Sequence, residues 1–173
     1  TKALGTGTMT ASLKRQESQE EDILEALQSM ATINNAIDYM TAEFQAAVHA
    51  ATDITGFGFS GHSMQLANAS QVTLSIQAEK LPRFTKTFSC LERSFLTKAH
   101  RTNAEYTEPN IDVSNLDQLH RLLIHDPQTS GGLLLSVSPA VSHAMTQALR
   151  SKFKSAEIIG QVLPRQHEAV VFA

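Results

Sequence analysis

Three short stretches hold most of the residues in this chain whose types and spacing could do chemistry. They are Lys2-Ala3-Leu4-Gly5-Thr6-Gly7, Asp53-Ile54-Thr55-Gly56-Phe57-Gly58-Phe59-Ser60-Gly61-His62 and Asp126-Pro127-Gln128-Thr129-Ser130-Gly131-Gly132, and together they contain seven of the eight glycines. In the middle stretch Asp53 offers a hard carboxylate oxygen, which suits Mg²⁺. Gly56 and Gly58 permit positive φ and a close backbone approach to a ligand. A helix beginning near Gly61 would aim free N–H groups at an anion. An acid, a glycine turn and a helix start are the parts of a magnesium-phosphate site. The same residues also describe a tight strand-to-helix turn with Asp53 as an ordinary cap, and the bare motif does not choose between the two. In the last stretch the hydroxyls of Thr129 and Ser130 and the N–H groups of Gly131 and Gly132 could form an anion nest. Taken alone, that stretch reads better as a plain turn into a buried strand.

Gly56, Gly58 and Gly61 also match G-x-G-x-x-G, the dinucleotide-binding pattern, with Glu79 near the expected acidic position. We discount that reading. His49-Ala50-Ala51-Thr52-Asp53 is too polar for a buried central parallel strand, and Asp53 would set a negative charge beside a pyrophosphate unless a cation lay between them. There is no Walker A sequence and no nucleophile elbow. The single cysteine, Cys90, cannot form an internal disulfide and is expected to be a bystander. No Cys/His spacing reads as a zinc site, so no residue of the chain is assigned a catalytic role.

The elements that must position these stretches follow from periodicity. Acidic residues at Ser18-Gln19-Glu20-Glu21 open a helix carrying Ile23, Leu24 and Leu27. Ile33, Ile37, Met40, Phe44 and Val48 fall on one stripe and predict a second helix over 33–48. A short strand at 50–55 enters the glycine turn, and a helix follows through Met64, Leu66 and Ala67. Alternation over 72–78 predicts a half-buried strand. A helix is expected at 85–95, a polar surface loop at 98–113, and a helix through Leu116, Leu119, Leu122 and Leu123 capped by Ser114. Asp126-Pro127 makes a turn, 131–137 a buried strand, 139–153 a helix, and 156–163 and 168–172 the last two strands. The fold class is therefore α+β, a mixed β-sheet with packed helices, in one domain over 1–173.

Composition bounds the rest. The chain has 173 residues, 42% of them hydrophobic, and a net charge of −3 with unclustered basic residues, which argues against a nucleic-acid partner. No apolar run approaches the ~20 residues of a spanning helix and no signal peptide is visible, so we expect a cytoplasmic protein with no membrane partner. The opening at Thr1, without methionine, leads us to expect a fragment cut at a domain edge.

Together the three stretches resemble the selenophosphate synthetases (selenide, water dikinases). Asp53 to His62 is similar to their DxTGFGxxGH signature and Asp126 to Gly132 to their DPQTSGG signature. Thr1 to Gly7 is similar to their TKPLGTG segment, with Ala3 in place of proline. Order and spacing agree over essentially the whole chain. The resemblance implies the carboxy-terminal domain of the aminoimidazole-ribonucleotide-synthetase-like fold, half of a two-domain enzyme that converts ATP, selenide and water to selenophosphate, AMP and phosphate. It implies Mg²⁺ as cofactor, ATP bound between the domains, a homodimer, and a missing amino-terminal domain as partner. It implies Asp53 as a magnesium ligand. Lys2, Gly5, Thr6, Gly7, Thr55, Gly56, Gly58, Thr129 and Ser130 are then expected around the nucleotide phosphates. The family's catalytic cysteine or selenocysteine and catalytic lysine belong to the amino-terminal part, so this chain alone is expected to be inactive. The family's GGTxRN segment has lost its glycines here; Arg101 and Asn103 are the candidate counterparts, and the role of 95–103 is left open. The competing readings are a sister enzyme (aminoimidazole ribonucleotide synthetase-like or thiamine-phosphate kinase-like) and a non-catalytic assembly module.

Overall fold

The computed structural model describes all residues from Thr1 to Ala173. Its helices are α1 (Thr6–Lys14), α2 (Glu20–Ala31), α3 (Ala42–Ala46), α4 (Gly58–Ala69), α5 (Thr87–Glu92), α6 (Lys98–Thr107), α7 (Gln118–His125) and α8 (Pro139–Leu149). Its strands are β1 (Val48–Asp53), β2 (Val72–Ile76), β3 (Ile111–Asp112), β4 (Leu133–Val137), β5 (Gly160–Pro164) and β6 (Val170–Phe172). The α+β class is as expected, but the strands form two sheets. One is a mixed sheet in the order β3-β6-β2-β5, with β6 parallel to β3 and β2, and β5 antiparallel to β2. The other is the antiparallel pair β1 and β4, in which Asp53 stands opposite Leu133 and Val48 opposite Val137.

This pairing resolves the polarity of β1. Val48, Ala50 and Thr52 are half-buried while His49, Ala51 and Asp53 are exposed, the alternation of an antiparallel strand with one wet face. Because β1 and β2 lie in different sheets, the segment is not a parallel βαβ unit, and the dinucleotide-binding reading falls.

The main core joins Ile54, Phe59, Met64, Leu74, Ile76, Leu123, Ile124 and Phe172; α4 lies over the mixed sheet and α7 packs on α4. A second cluster gathers Met9, Ile23, Phe84, Cys90 and Phe95 from α1, α2 and the region around α5. A third packs Met145 and Leu149 of α8 with Phe153 against Phe44, Val48 and Leu135.

Three local expectations are corrected and one helix is added. Residues 6–14 form helix α1, where periodicity assigned no element. The stripe over 33–48 is not one helix: Ala36–Tyr39 is a 3-10 turn, Met40 is extended, and Thr41 restarts the chain by accepting the Phe44 N–H on its hydroxyl, which caps α3. Met40, Phe44 and Val48 still pack with α8, whereas Ile33 and Ile37 are exposed. Residues 98–107 are helix α6, not loop. Helix α7 is capped by Asp117, whose carboxylate accepts the His120 N–H at 2.9 Å, and not by Ser114.

Candidate functional site

The fold brings the three glycine stretches into direct contact. The Ile54 N–H donates to the Gly132 carbonyl and the Gln128 N–H to the Thr55 carbonyl, at 2.8 and 3.0 Å. That joins the middle and last stretches. The Lys2 ammonium donates to the carbonyls of Thr32 and Ser130 at 2.6 and 2.8 Å, which joins the first and last. Lys2 is 7% exposed, and burial lowers its pKa; its charge is held behind the Thr129-Ser130 loop by carbonyl dipoles.

Asp126 and Gln128, both buried, organise the junction. The Asp126 carboxylate accepts the N–H groups of Gly7 and Thr8 at 3.1 and 2.8 Å, capping α1 where its dipole is positive. The Gln128 carbonyl oxygen Oε1 accepts from the Gly5 and Thr6 N–H groups and from the Thr6 hydroxyl. The Gln128 amide nitrogen returns two bonds to Asp126, and the Thr6 hydroxyl oxygen accepts the Thr129 N–H at 2.9 Å. The N–H groups of Gly5, Thr6 and Gly7 are therefore all bonded within the chain. Gly7 is obligatory for another reason: a Cβ there would meet the Pro127 carbonyl and the Asp126 carboxylate at 2.5 and 2.6 Å. The Nε2 of His100 lies 3.0 Å from Asp126 Oδ1, while its Nδ1 accepts the Thr97 N–H. That fixes the ring proton on Nε2, toward the carboxylate, although the angle is too poor for a good hydrogen bond.

The middle stretch presents the opposite picture. Asp53 stands exposed at the end of β1. Thr55 is half-buried, its hydroxyl 3.0 Å from His62 Nε2. Burial lowers the His62 pKa, against the opposing charge of Asp53, so the ring is neutral at pH 7 and leaves the Asp53 charge available to a cation. Gly56 is exposed, and a Cβ there would have open space. Gly58 begins α4 at φ 69°, with the Ile124 carbonyl 2.9 Å from where a Cβ would sit. The N–H groups of Gly56 and Phe57 donate to no acceptor in the chain. Thr129 and Ser130 are exposed beside this turn, with Ser130 at φ 49°. The structure thus sets the strand end at Asp53 and the turn at Thr55 and Gly56 against the loop bearing Thr129 and Ser130, with Lys2, Gly5, Thr6 and Gly7 bonded to residues 126–130. Neither of two cavities, of about 650 and 550 Å³, is lined by any of those five exposed or half-buried residues.

No group of three His, Cys, Asp or Glu side chains is arranged to hold a metal ion anywhere in the chain. Asp53 fits a magnesium ion only as a single carboxylate ligand. That is a normal share, since Mg²⁺ at nucleotide sites takes one or two carboxylates together with phosphate oxygens and water.

Three buried polar groups had no structural role assigned from the sequence. Asn103 of α6 is one: its amide donates to the carbonyls of Gly56 and His125, both at 3.0 Å. His100 is the second. The third is a chain in which the Ser60 hydroxyl meets His125 Nδ1 at 2.9 Å and His125 Nε2 meets Glu108 at 3.2 Å, with Arg121 bidentate on Glu108. Its connectivity mimics a nucleophile, base and acid, but Ser60 is fully buried, so the chain is a structural strut. Asn103 was flagged in the sequence only as a counterpart of the GGTxRN segment, and polar residues at helical spacing were the only signal for the other two.

The family model described as AIR synthase related protein, C-terminal domain, matches residues 1–173. The chain is 69% identical over 172 residues to the selenide, water dikinase of Nitrosomonas eutropha, covering 99% of this chain and 49% of that protein. It is 70% identical, with the same coverage, to the selenide, water dikinase of Bdellovibrio bacteriovorus. The chain spans about half the length of the curated relatives it matches. Among solved structures it is similar to hydrogenase maturation protein HypE in complex with ATP, with TM-score 0.64 and 16% identity over 99% of this chain and 45% of that one. It is also similar to thiamine-monophosphate kinase from Stenotrophomonas maltophilia, with TM-score 0.59 and 15% identity over 99% and 48%. At those identities the likeness is one of fold.

Proposed function

Since the chain belongs to the family of AIR synthase related protein C-terminal domains, we propose that it is the carboxy-terminal half of a selenide, water dikinase and binds the phosphates of Mg-ATP for the other half to use. The observation that carries this reading is the 69–70% identity to two selenide, water dikinases over 172 residues. The reaction is ATP, selenide and water to selenophosphate, AMP and phosphate. The working protein is a cytoplasmic homodimer in which an amino-terminal domain completes the site and carries the nucleophile.

In this reading Asp53 is the chain's ligand to magnesium. When bound, the ion screens the phosphate oxygens and stabilises charge that develops on them. The exposed N–H groups of Gly56 and Phe57, at the start of α4, supply neutral donors to the same anion. The hydroxyls of Thr55, Thr129 and Ser130 border it. Gly58 sets the turn, and Lys2, Gly5, Thr6 and Gly7 act at one remove by fixing the loop that carries Thr129 and Ser130. Neutral His62 orients the Thr55 hydroxyl without adding a positive charge that would compete with magnesium for Asp53.

The test is Asp53→Ala in the full-length protein, followed by ³¹P NMR for selenophosphate and AMP with selenide, ATP and Mg²⁺ supplied. Wild type makes both products and the variant falls to background. Equal activity in the two would remove Asp53 from the metal site. No selenide-dependent product from well-folded wild type would remove the dikinase reading itself.

A further inference from the structure

We propose that Asn103 is a positioning residue for the nucleotide phosphates, holding the peptide between Gly56 and Phe57 with its N–H turned toward the ligand; the proposal rests on the phosphate site described above. Asn103 is 4% exposed. Its two bonds go to the carbonyls of Gly56, in the turn, and of His125, at the end of α7. Gly56 has no side chain and nothing within 4 Å of where one would begin, so packing at Gly56 does not fix its carbonyl. A trans peptide is planar, with its C=O and N–H on opposite sides. Drawing the Gly56 carbonyl inward therefore turns the Phe57 N–H outward, and that N–H has no acceptor in the chain. Without Asn103 the peptide is free to rotate and the carbonyl oxygen, which repels phosphate, is free to face the ligand.

Two neighbours strengthen the assignment. Tyr106 lies three residues on, on the same face of α6, and its ring rests against Phe57 at a centroid distance of 5.6 Å. One helix thus holds both residues of the turn. The second Asn103 bond is to His125, immediately before Asp126. The same amide therefore ties the glycine turn to the loop bearing Thr129 and Ser130. The assigned role also gives a function to the segment whose glycines differ from the family pattern.

The experiment compares full-length wild type with Asn103→Ala and Asn103→Ser, measuring initial rates against ATP and selenide separately, with thermal melts alongside. Losing both donors is expected to raise KM for ATP about tenfold in Asn103→Ala, less in Asn103→Ser, while KM for selenide stays within about twofold. A purely structural role predicts instead that both KM values hold and active-enzyme concentration falls with stability. An unchanged KM for ATP in a folded variant overturns the proposal. If Asn103→Ala does not fold, Asn103→Ser decides the question alone, since one hydroxyl cannot replace two amide donors. Wild type without ATP-dependent selenophosphate formation overturns the phosphate-site reading, and this proposal with it.

Discussion

Two aspartates of this chain stand in opposite settings. Asp126 is fully buried and accepts from Gly7, Thr8 and Gln128, with His100 Nε2 at 3.0 Å. Asp126→Ala leaves those donors without partners in the interior, and we expect a loss of about 3–5 kcal/mol, read as a fall in the urea midpoint. Asp53 is exposed, so Asp53→Ala should change stability by no more than about 0.5 kcal/mol while removing activity. The motifs that contain both residues were legible in the sequence, but their division of labour was not. From residue types alone, Thr129 and Ser130 looked like the functional members of the last stretch and Asp126 like a turn former. A carboxylate that caps a helix 119 residues away leaves no local trace. Asp53 stood out as a candidate because a carboxylate beside glycines is a local pattern, and the structure leaves it exposed.

Among the elements, α6 was the one the sequence concealed, and the reason is physical. Its buried residues are His100, Asn103 and Thr107, a polar inward face with helical spacing, so a search for apolar periodicity finds nothing there. Helices α4 and α7 were legible because Phe59, Met64, Leu123 and Ile124 mark their core faces. The long stripe at 33–48 misled because Met40, Phe44 and Val48 do pack together, although they do so from an extended residue, a short helix and a strand. The Ser60–His125–Glu108 strut joins α4, α7 and the end of α6, and it makes their packing depend on pH. Burial lowers the His125 pKa to about 4, against the raising effect of Glu108 and with smaller lowering effects from Arg121 and His100. Between the unfolded value of 6.5 and about 4 the unfolded chain binds more protons at this site, so stability falls as pH drops through that window. The full loss is up to about 3 kcal/mol. The Glu108 pKa is lowered, chiefly by Arg121, so its contribution is present above the ordinary carboxylate range and is lost below it. Urea titrations at pH 7, 5.5 and 4.5 should show wild type losing stability steadily. His125→Gln should start lower and have a shallower slope, with the remainder carried by His62, which burial shifts the same way.

At the scale of the whole molecule, the candidate site is a face and not a cavity. Asp53, Thr55, Gly56, Thr129 and Ser130 line neither of two cavities of about 650 and 550 Å³, and no three His, Cys, Asp or Glu side chains come together to hold a metal ion. The only thiol, Cys90, is 5% exposed and packs with Met9, Ile23 and Phe84, so it serves the core and is not placed to attack a substrate. Apolar side chains at Leu24, Leu27, Ile33 and Ile37 remain exposed along and just after α2. Just after α2, the Asn34 amide donates to the Gly131 carbonyl, and the Thr32 carbonyl accepts from the Lys2 ammonium that also donates to Ser130. On the proposed reading, this face binds and orients phosphates but cannot exclude water or deliver a nucleophile. The chain of 1–173 by itself is therefore expected to melt cooperatively, since three clusters of buried side chains already hold it together, yet to form no AMP in the presence of ATP, Mg²⁺ and selenide. ³¹P NMR on the purified chain beside the full-length protein checks this directly. Product from the full-length protein alone is the expected result. Selenide-dependent AMP from the chain alone would mean that this half contains a complete catalytic centre, and the assignment of the nucleophile to the other half would have to be abandoned.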